Sequence, residues 1–219
     1  MVLAELNYAT RYANRLLQDL SDARRLAAQP ETHPAVRWAH SGSMTTPSFG
    51  PIRQIAWIVR DLEESLANWL RISGVGPWTC FRNVAMTGNF RGAPAAVRMH
   101  VALGYQDGME IELIQDLGGA ASPYRGADGA PLIGMHHVAW FSEDVAADVA
   151  RARQRGMAVC FEAANEVTRV AYLEDPREPR LLFEFIEMNA LMRAGFEARL
   201  AATRDWRGDN PVQIIDLGG

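Results

Sequence analysis

The stretch IRQIAWIVRDLEESLANWLRISGVGPWTCF, residues 52–81, predicts a strand, a helix, a glycine turn and a second strand. The helix is indicated by its acidic first turn and by Leu62, Leu66 and Leu70, which share one stripe. MHHVAWFSEDVAADVARARQRGMAVCFE, residues 135–162, shows the same order, and HVAW from residue 137 aligns with QIAW from residue 54. An internal repeat of this kind indicates one supersecondary unit that is used twice.

A pair of alternating strands follows each copy of this unit. VRMHVALGYQDGMEIELIQ, residues 97–115, turns through Asp-Gly, which is a strong hairpin signal. Its counterpart, TRVAYLEDPREPRLLFEFIE, residues 168–187, turns through Asp-Pro. The sequence therefore predicts an α+β fold of two paired βαβββ modules, the first over residues 52–116 and the second over residues 134–187.

The two ends of the chain lie outside the repeat. Residues 1–50 are predicted to form a helix over residues 3–28 and then an arm rich in Pro, Ser, Thr and Gly. Residues 188–219 are predicted to form a C-terminal helix and an extended tail. The terminal helices are the expected contact of a homodimer. His33 and His40, in the arm, have no carboxylate or cysteine nearby, and a solvated loop is favoured for both.

Composition restricts the partners and the setting of the chain. Its 219 residues carry a net charge of -4 and a pI of about 5.8, so neither a polyanion-binding surface nor a nucleic-acid partner is expected. No apolar run approaches the ~18 residues of a membrane span, and the first residues do not resemble a signal peptide. Cys80 and Cys160 form neither a disulfide framework nor a CxxC pair. A small-molecule substrate and a cytoplasmic location are expected.

Strand alternation places one polar side chain on the same face of four predicted strands. Successive side chains of a strand point to opposite faces, and each of these four has at least one apolar neighbour on its own face. Two carboxylates, an imidazole and an amide that converge would be balanced by a divalent cation, since buried carboxylates without partners are costly. The alternative is four separate, solvated residues. The set is Gln54, Glu112, His137 and Glu184.

The same alternation makes predictions for three neighbouring groups of residues. His136 is predicted to face the helix side, away from His137. Glu110 shares the face of Glu112 and is expected at a solvated rim. Arg98, His100 and Arg169 are predicted on the ligand-facing side of the middle strands, with His100 as a second acid or base and an arginine as a carboxylate anchor. For these three, a hydrogen bond at the rim is the alternative.

The four polar residues resemble the metal site of the vicinal oxygen chelate superfamily. That superfamily includes glyoxalase I, methylmalonyl-CoA epimerase, extradiol dioxygenases and bleomycin-resistance proteins, and the resemblance spans residues 52–187. Its members pair two βαβββ modules into a cup, with metal ligands on the first and last strand of each module. The resemblance thus implies Gln54, Glu112, His137 and Glu184 as ligands. The order Gln, Glu, His, Glu is similar to the animal type of glyoxalase I, whereas methylmalonyl-CoA epimerases typically show His, Gln, His, Glu.

This ligand set implies non-redox chemistry. Iron(II) dioxygenases use two His and one carboxylate, and only His137 lies on the ligand face, so one Zn, Mn, Co, Ni or Mg ion is expected and redox iron is not. Such an ion would act as a Lewis acid toward an enolate or enediolate, with Glu184 or Glu112 carrying the proton as in family members. The expected function is a metal-dependent isomerase, epimerase or lyase. The alternative is a metal-free ligand-binding protein of the bleomycin-resistance type.

The substrate implied by the resemblance is apolar. Glutathione-using members usually carry Arg four residues after the first ligand and Asn four after the second, where this chain has Ile58 and Asp116. A small hydrophobic or aromatic carbonyl compound or thioester is therefore expected. The candidate substrate-binding residues are Ile58, Trp78, Arg98, Arg169 and Tyr124, although for Trp78 plain core packing, and for Tyr124 an exposed loop position, are the alternatives.

Overall fold

The computed structural model describes residues 48–119 and 121–218. The predictions for the N-terminal helix and most of the arm, including His33 and His40, lie outside the described residues. Within them, the helices are α1 (Leu62–Ser73), α2 (Val145–Arg153) and α3 (Ala190–Arg204). The strands are β1 (Gln54–Ile58), β2 (Trp78–Phe90), β3 (Ala93–Gln106), β4 (Met109–Asp116), β5 (Gly134–Ser142), β6 (Ala158–Ala164), β7 (Arg169–Glu174), β8 (Leu182–Glu187) and β9 (Val212–Asp216).

The strands form one mixed sheet that curls into a barrel, so the fold is α+β. Neighbours follow the order β3-β4-β1-β5-β8-β7-β6-β2-β9, and an additional pairing of β2 with β3 closes the ring. The two halves of the chain meet at the antiparallel pairs β1–β5 and β2–β6. The strands β4, β1, β5 and β8, which carry the four polar residues of interest, are therefore consecutive neighbours in the sheet.

The helices α1 and α2 cover the outer face of the barrel, because alternation sends one set of apolar side chains outward. Asp61 caps α1 by accepting a hydrogen bond from the backbone N–H of Glu64, and Gly74 ends the helix in the left-handed conformation. Leu62 and Leu66 of this helix pack against Trp78. Trp78 is fully buried there and donates its Nε1 hydrogen to Val75 O at 2.7 Å. Its predicted role in substrate binding is therefore wrong, and its place is in the core.

The Asp-Gly turn forms as the sequence predicts and sets the register of the hairpin β3–β4. Asp107 and Gly108 have φ values of 50° and 82°, which a type I′ turn requires at both central positions. Gln106 consequently pairs with Met109, and Leu103 pairs with Glu112. Directly paired residues share a face of the sheet. Odd-numbered residues of β3 therefore share the inner face with Glu112.

The C-terminal segment closes over the barrel. Asn189 caps α3 by accepting a hydrogen bond from Met192 N at 3.0 Å. Phe196 contacts Tyr105 and Phe141 edge-on, with ring centroids 5.5 and 5.0 Å apart. The predicted extended tail adds β9 in parallel to β2. None of the helices in residues 48–119 and 121–218 is long and apolar enough to cross a membrane.

We predict that Gly88 is required for the pairing of β2 with β6. A Cβ at this position would lie 1.9 Å from the carbonyl oxygen of Glu162 and 2.6 Å from Ala163 Cα. Gly88→Ala should therefore lower the free energy of unfolding by about 2 kcal/mol or more, the usual scale of overpacking. Urea denaturation followed by tryptophan fluorescence measures this loss.

The neighbouring substitution Thr87→Ala is the matched control. Thr87 is exposed on the same strand, so the change should alter the free energy of unfolding by no more than about 0.5 kcal/mol. Equal losses of stability from the two substitutions would show that the close approach of β6 to Gly88 does not exclude a side chain at this position.

Candidate active site

A cavity of about 340 Å³ lies inside the barrel. Its lining is largely apolar and comes from several strands and from α3; Met86, Met99, Val101, Phe141 and Met192 contribute to it. The polar lining side chains include Gln54, Glu110, Glu112 and Glu184. A cavity of this size and composition suits a small apolar molecule that meets a few fixed polar groups.

The structure brings the four predicted ligands together around one nitrogen atom. His137 Nε2 lies 2.8 Å from Glu184 Oε2, 3.3 Å from Glu112 Oε2 and 3.1 Å from Gln54 Oε1. His137 is fully buried, and the two carboxylates lie on opposite sides of the central β1–β5 pair. The side chains meet because they occupy two adjacent rows of one face of the sheet: Glu112 and His137 share the row of Ala56, and Gln54 and Glu184 share the row of Ala139.

The cluster is not completely satisfied by hydrogen bonds. His137 Nε2 carries at most one hydrogen and faces three oxygens, and the buried Glu184 Oε2 has no hydrogen-bond partner of acceptable geometry. Two carboxylate oxygens, an amide oxygen and an imidazole nitrogen are donors that a Zn-like or Mn-like divalent cation would accept, and the three oxygens lie 2.8, 3.1 and 3.3 Å from the nitrogen. By spacing alone, however, no group of three or more His, Cys, Asp and Glu in the described residues forms a ready metal site. A cation at this position would take the place of the hydrogen on His137 Nε2.

The electrostatics of the cluster favour a proton on His137. Burial by itself lowers the pKa of this imidazole, but the charge of Glu184 and the contacts with both glutamates outweigh burial and raise the pKa to about 9. Burial raises the pKa of Glu112, against the contact with His137, which lowers it. The metal-free cluster is thus an ion pair with a net negative charge when both carboxylates are ionised.

The predicted orientation of His136 is wrong. It is buried on the same side as His137, and the two Nδ1 atoms lie 2.9 Å apart. The reason is a β-bulge, because the register shifts where Ala56 pairs with His137 and Trp57 pairs with Met135. A bulge inserts one unpaired residue and re-aims its side chain, so simple alternation fails at His136.

His136 determines which nitrogen of His137 faces the carboxylates. His136 Nε2 lies 2.8 Å from Pro123 O, a carbonyl that only accepts, so Nε2 carries the hydrogen. Burial, together with the charge of His137, lowers the pKa of His136 to about 3, and its Nδ1 is therefore an acceptor. The hydrogen between the two rings belongs to His137 Nδ1. When His137 is neutral, its Nε2 lone pair consequently points at the glutamates.

Glu110 is buried at the site. The prediction that it is solvated at a rim is therefore wrong. Only 4% of its surface is exposed, and it accepts hydrogen bonds from Gln54 Nε2 at 2.7 Å and from the Tyr105 hydroxyl. The first contact turns the amide of Gln54 so that its oxygen faces His137. Burial raises the pKa of Glu110 despite the hydrogen bond with Tyr105. The parallel pairing of Gln54 with Glu110 produces this contact, and alternation along single strands cannot reveal it.

Three predicted site residues do not reach the cavity. His100 pairs with Gln115 on the outer face, where its Nδ1 accepts a hydrogen bond from Asn83 N at 3.1 Å. Arg98 has the same parity on β3 and extends to Asn83 Oδ1 at 3.4 Å. On β7, Val170 and Tyr172 line the cavity, so Arg169 points outward and is exposed. The prediction that these three side chains face the cavity is wrong. The strand registers turn the odd-numbered residues of β3 and the even-numbered residues of β7 inward.

The remaining predicted residues lie inside the barrel. Tyr124 is buried rather than exposed on its loop, lines the cavity, and has its hydroxyl 3.2 Å from that of Tyr172. Ile58 is buried in the apolar cluster around the cavity but does not line it. Asp116 forms an ion pair with Arg125 Nε at 2.5 Å. Tyr172 and Arg199 also line the cavity, and sequence reasoning did not identify either of them. With the correct register of β7, strand alternation would have identified Tyr172.

Several solved structures are similar to this chain at low sequence identity. Methylmalonyl-CoA epimerase from Mycobacterium tuberculosis is 15% identical, with a TM-score of 0.47, and the match covers 69% of this chain and 97% of that one. A variant of Streptomyces coelicolor methylmalonyl-CoA epimerase in complex with 2-nitronate-propionyl-CoA is 20% identical, with a TM-score of 0.42, and the match covers 65% and 100%. A hypothetical protein from Bacillus halodurans is 19% identical, with a TM-score of 0.44 and coverage of 64% and 94%. No curated protein matches the sequence significantly.

A family model supplies the assignment. The model of the Glyoxalase/Bleomycin resistance protein/Dioxygenase superfamily matches residues 53–172. The matched range is more than half of the chain and begins next to Gln54 on β1. The sequence, on its residue pattern, had predicted the same superfamily. This chain belongs to the Glyoxalase/Bleomycin resistance protein/Dioxygenase superfamily.

Proposed function

We propose that this protein is a metal-dependent isomerase, epimerase or lyase that removes a proton next to a carbonyl group. The observation that carries the proposal is the meeting of Gln54, Glu112 and Glu184 around His137 Nε2 beside an apolar cavity. The substrate would be a small hydrophobic or aromatic carbonyl compound or thioester. We further propose that the two halves of the chain are copies of one βαβββ module that together form the cup of the superfamily.

The proposed cation would be held by Gln54, Glu112, His137 and Glu184. Three oxygen donors and one imidazole suit Zn, Mn, Co, Ni or Mg better than redox iron. His136 does not supply a second imidazole, because Pro123 O and His137 occupy its two nitrogens. When bound, the ion would act as a Lewis acid toward the substrate carbonyl.

The glutamates are the proposed proton carriers. Glu184 lines the cavity with its buried Oε2 2.8 Å from His137 Nε2, and this carboxylate oxygen would accept a hydrogen from a substrate carbon. Glu112 shares His137 and is the alternative base. His137 and Gln54 keep both carboxylates in place, and the apolar walls exclude water from the proton that is moved.

A second candidate function follows from the apolar lining. A metal-free protein that sequesters a flat ligand would use the same cavity with its aromatic side chains, including Tyr124, Tyr172 and Phe141. In that case the ion pair of His137 with the glutamates would form the polar side of the ligand-binding cavity. The protonated His137, rather than a cation, would then balance the carboxylates.

The first test of the proposal is metal binding. Chelator-treated wild-type protein should bind about one Ni²⁺ or Co²⁺ ion per chain in isothermal titration calorimetry. His137→Ala should weaken binding at least about 100-fold because the imidazole ligand is lost, and His136→Gln about 10–100-fold because His137 is no longer oriented. His100→Ala, on the outer face of β3, is the matched control and should change nothing.

The pH dependence of the same titration has a defined sign. The pKa of His137 is raised to about 9 in the metal-free cluster, so metal binding must displace a proton at lower pH. Affinity should therefore rise about tenfold per pH unit from pH 6.5 and level off toward pH 9. Tight binding that is insensitive to pH, or equal binding by the His137→Ala variant, would contradict the proposed ligand set.

The second test is hydrogen exchange in heavy water, followed by proton NMR with a panel of aromatic β-keto compounds and acyl thioesters. Wild-type protein loaded with metal should wash out the acidic carbon-bound hydrogen of an accepted compound. Glu184→Gln keeps an oxygen donor but removes a good proton acceptor, so exchange should fall by about 10²–10⁴ with metal still bound.

Glu112→Gln distinguishes the two glutamates. A larger loss of exchange with Glu112→Gln than with Glu184→Gln would assign the base to Glu112. If neither substitution reduced exchange, while an aromatic ligand bound the metal-free protein tightly, the sequestering function would replace the enzymatic one.

A further inference from the structure

Helix α3 covers the cavity and brings one fixed positive charge to it. Met192, Gly195, Phe196 and Arg199 of this helix line the cavity. Arg199 is the one lysine or arginine among the cavity-lining residues within 48–119 and 121–218. Arg199 is half-buried, and its guanidinium lies beside a largely apolar cavity lining.

The guanidinium of Arg199 is held in a defined position. Its Nε donates a hydrogen bond to the Tyr105 hydroxyl at 2.7 Å. Its Cζ lies 5.8 Å from the ring centroid of Phe81 and 6.0 Å from that of Tyr105, within range of cation–π attraction. Its two terminal amino groups have neither a hydrogen-bond partner nor a carboxylate within 4.0 Å among the residues that the structure describes. These amino groups are therefore available to a ligand.

Gly195 leaves room for this side chain. A Cβ at position 195 would lie 3.0 Å from Arg199 Nη1 and 3.7 Å from its Cζ. Glycine is among the poorest helix formers, yet here it occupies the middle of α3 on the turn before Arg199. The small residue lets the guanidinium lie against the helix beside the cavity.

None of the cavity's carboxylates in the described residues contacts Arg199 directly. Glu112 and Glu184 face His137. Glu110 is connected to Arg199 through the Tyr105 hydroxyl, which accepts a hydrogen bond from Arg199 Nε and donates one to Glu110. Among the described residues, the Arg199 guanidinium therefore has no carboxylate in direct ion-pair contact.

We propose that Arg199 binds a carboxylate group of a substrate whose remaining surface is apolar. The planar guanidinium matches a carboxylate in geometry and pairs with it more strongly than with a neutral group. The inference takes the cavity to be the substrate site of the proposed function and specifies the substrate as an anionic apolar compound. It does not depend on the metal, so it is tested with chelator-treated protein.

The test compares two probes of nearly the same shape, 1-naphthaleneacetate and its neutral amide 1-naphthaleneacetamide, by isothermal titration calorimetry at pH 7.5. Wild-type protein should bind the acid more tightly than the amide. Arg199→Gln should weaken binding of the acid at least about tenfold and change binding of the amide by no more than about twofold, because only the acid loses a charged partner. Arg199→Lys should retain part of the preference for the acid.

Arg193→Gln is the matched control. Arg193 lies on the same helix but pairs with Glu143 at the surface, so its substitution should leave both affinities unchanged. Equal weakening of acid and amide in Arg199→Gln would show that Arg199 only fastens α3 to Tyr105 and would overturn the proposal. Wild-type protein that prefers the amide, or binds neither probe, would also overturn it. Since no metal or turnover is involved, failure of the enolising function would not alter these outcomes.

Discussion

The contact of His137 Nε2 with two glutamates and an amide is the constraint on which the rest of the site depends. Two buried carboxylates beside each other would repel, and each would favour its neutral form. The imidazole offsets this repulsion because β5 lies next to β1 and β8 in the sheet. This geometry requires the two halves of the chain to pair through β1 and β5. The site is therefore complete only when the two halves are paired.

Several buried contacts keep this cluster in place from outside. Glu110 orients the amide of Gln54, and His136, supported by Pro123 O, orients His137. Such supporting contacts usually determine how well a cluster binds a cation, because they fix the ligand that faces it. The bulge in β5 turns His136, which would have pointed outward, into a partner of His137.

The barrel and its C-terminal helix create a chemically divided interior. Acidic groups meet His137 on the β4-β1-β5-β8 surface, while apolar side chains and Arg199 enclose the remaining space. The hydrogen bonds from Arg199 through Tyr105 and Glu110 to Gln54 connect the helix to the site. A displacement of α3 would therefore alter both the enclosure of a ligand and the support of Gln54.

The sequence by itself determined the α+β class, the superfamily and the four polar residues that meet. These follow from local rules, since period-two alternation and the Asp-Gly turn depend on short stretches of chain. Tertiary structure decided the facing of His136, His100, Arg98 and Arg169. The orientation of His136 depends on a bulge opposite β1, and that of the others on strand register, which a shift of one residue inverts. The burial of Glu110 and the position of Arg199 arise from pairings between distant segments, which no local pattern encodes.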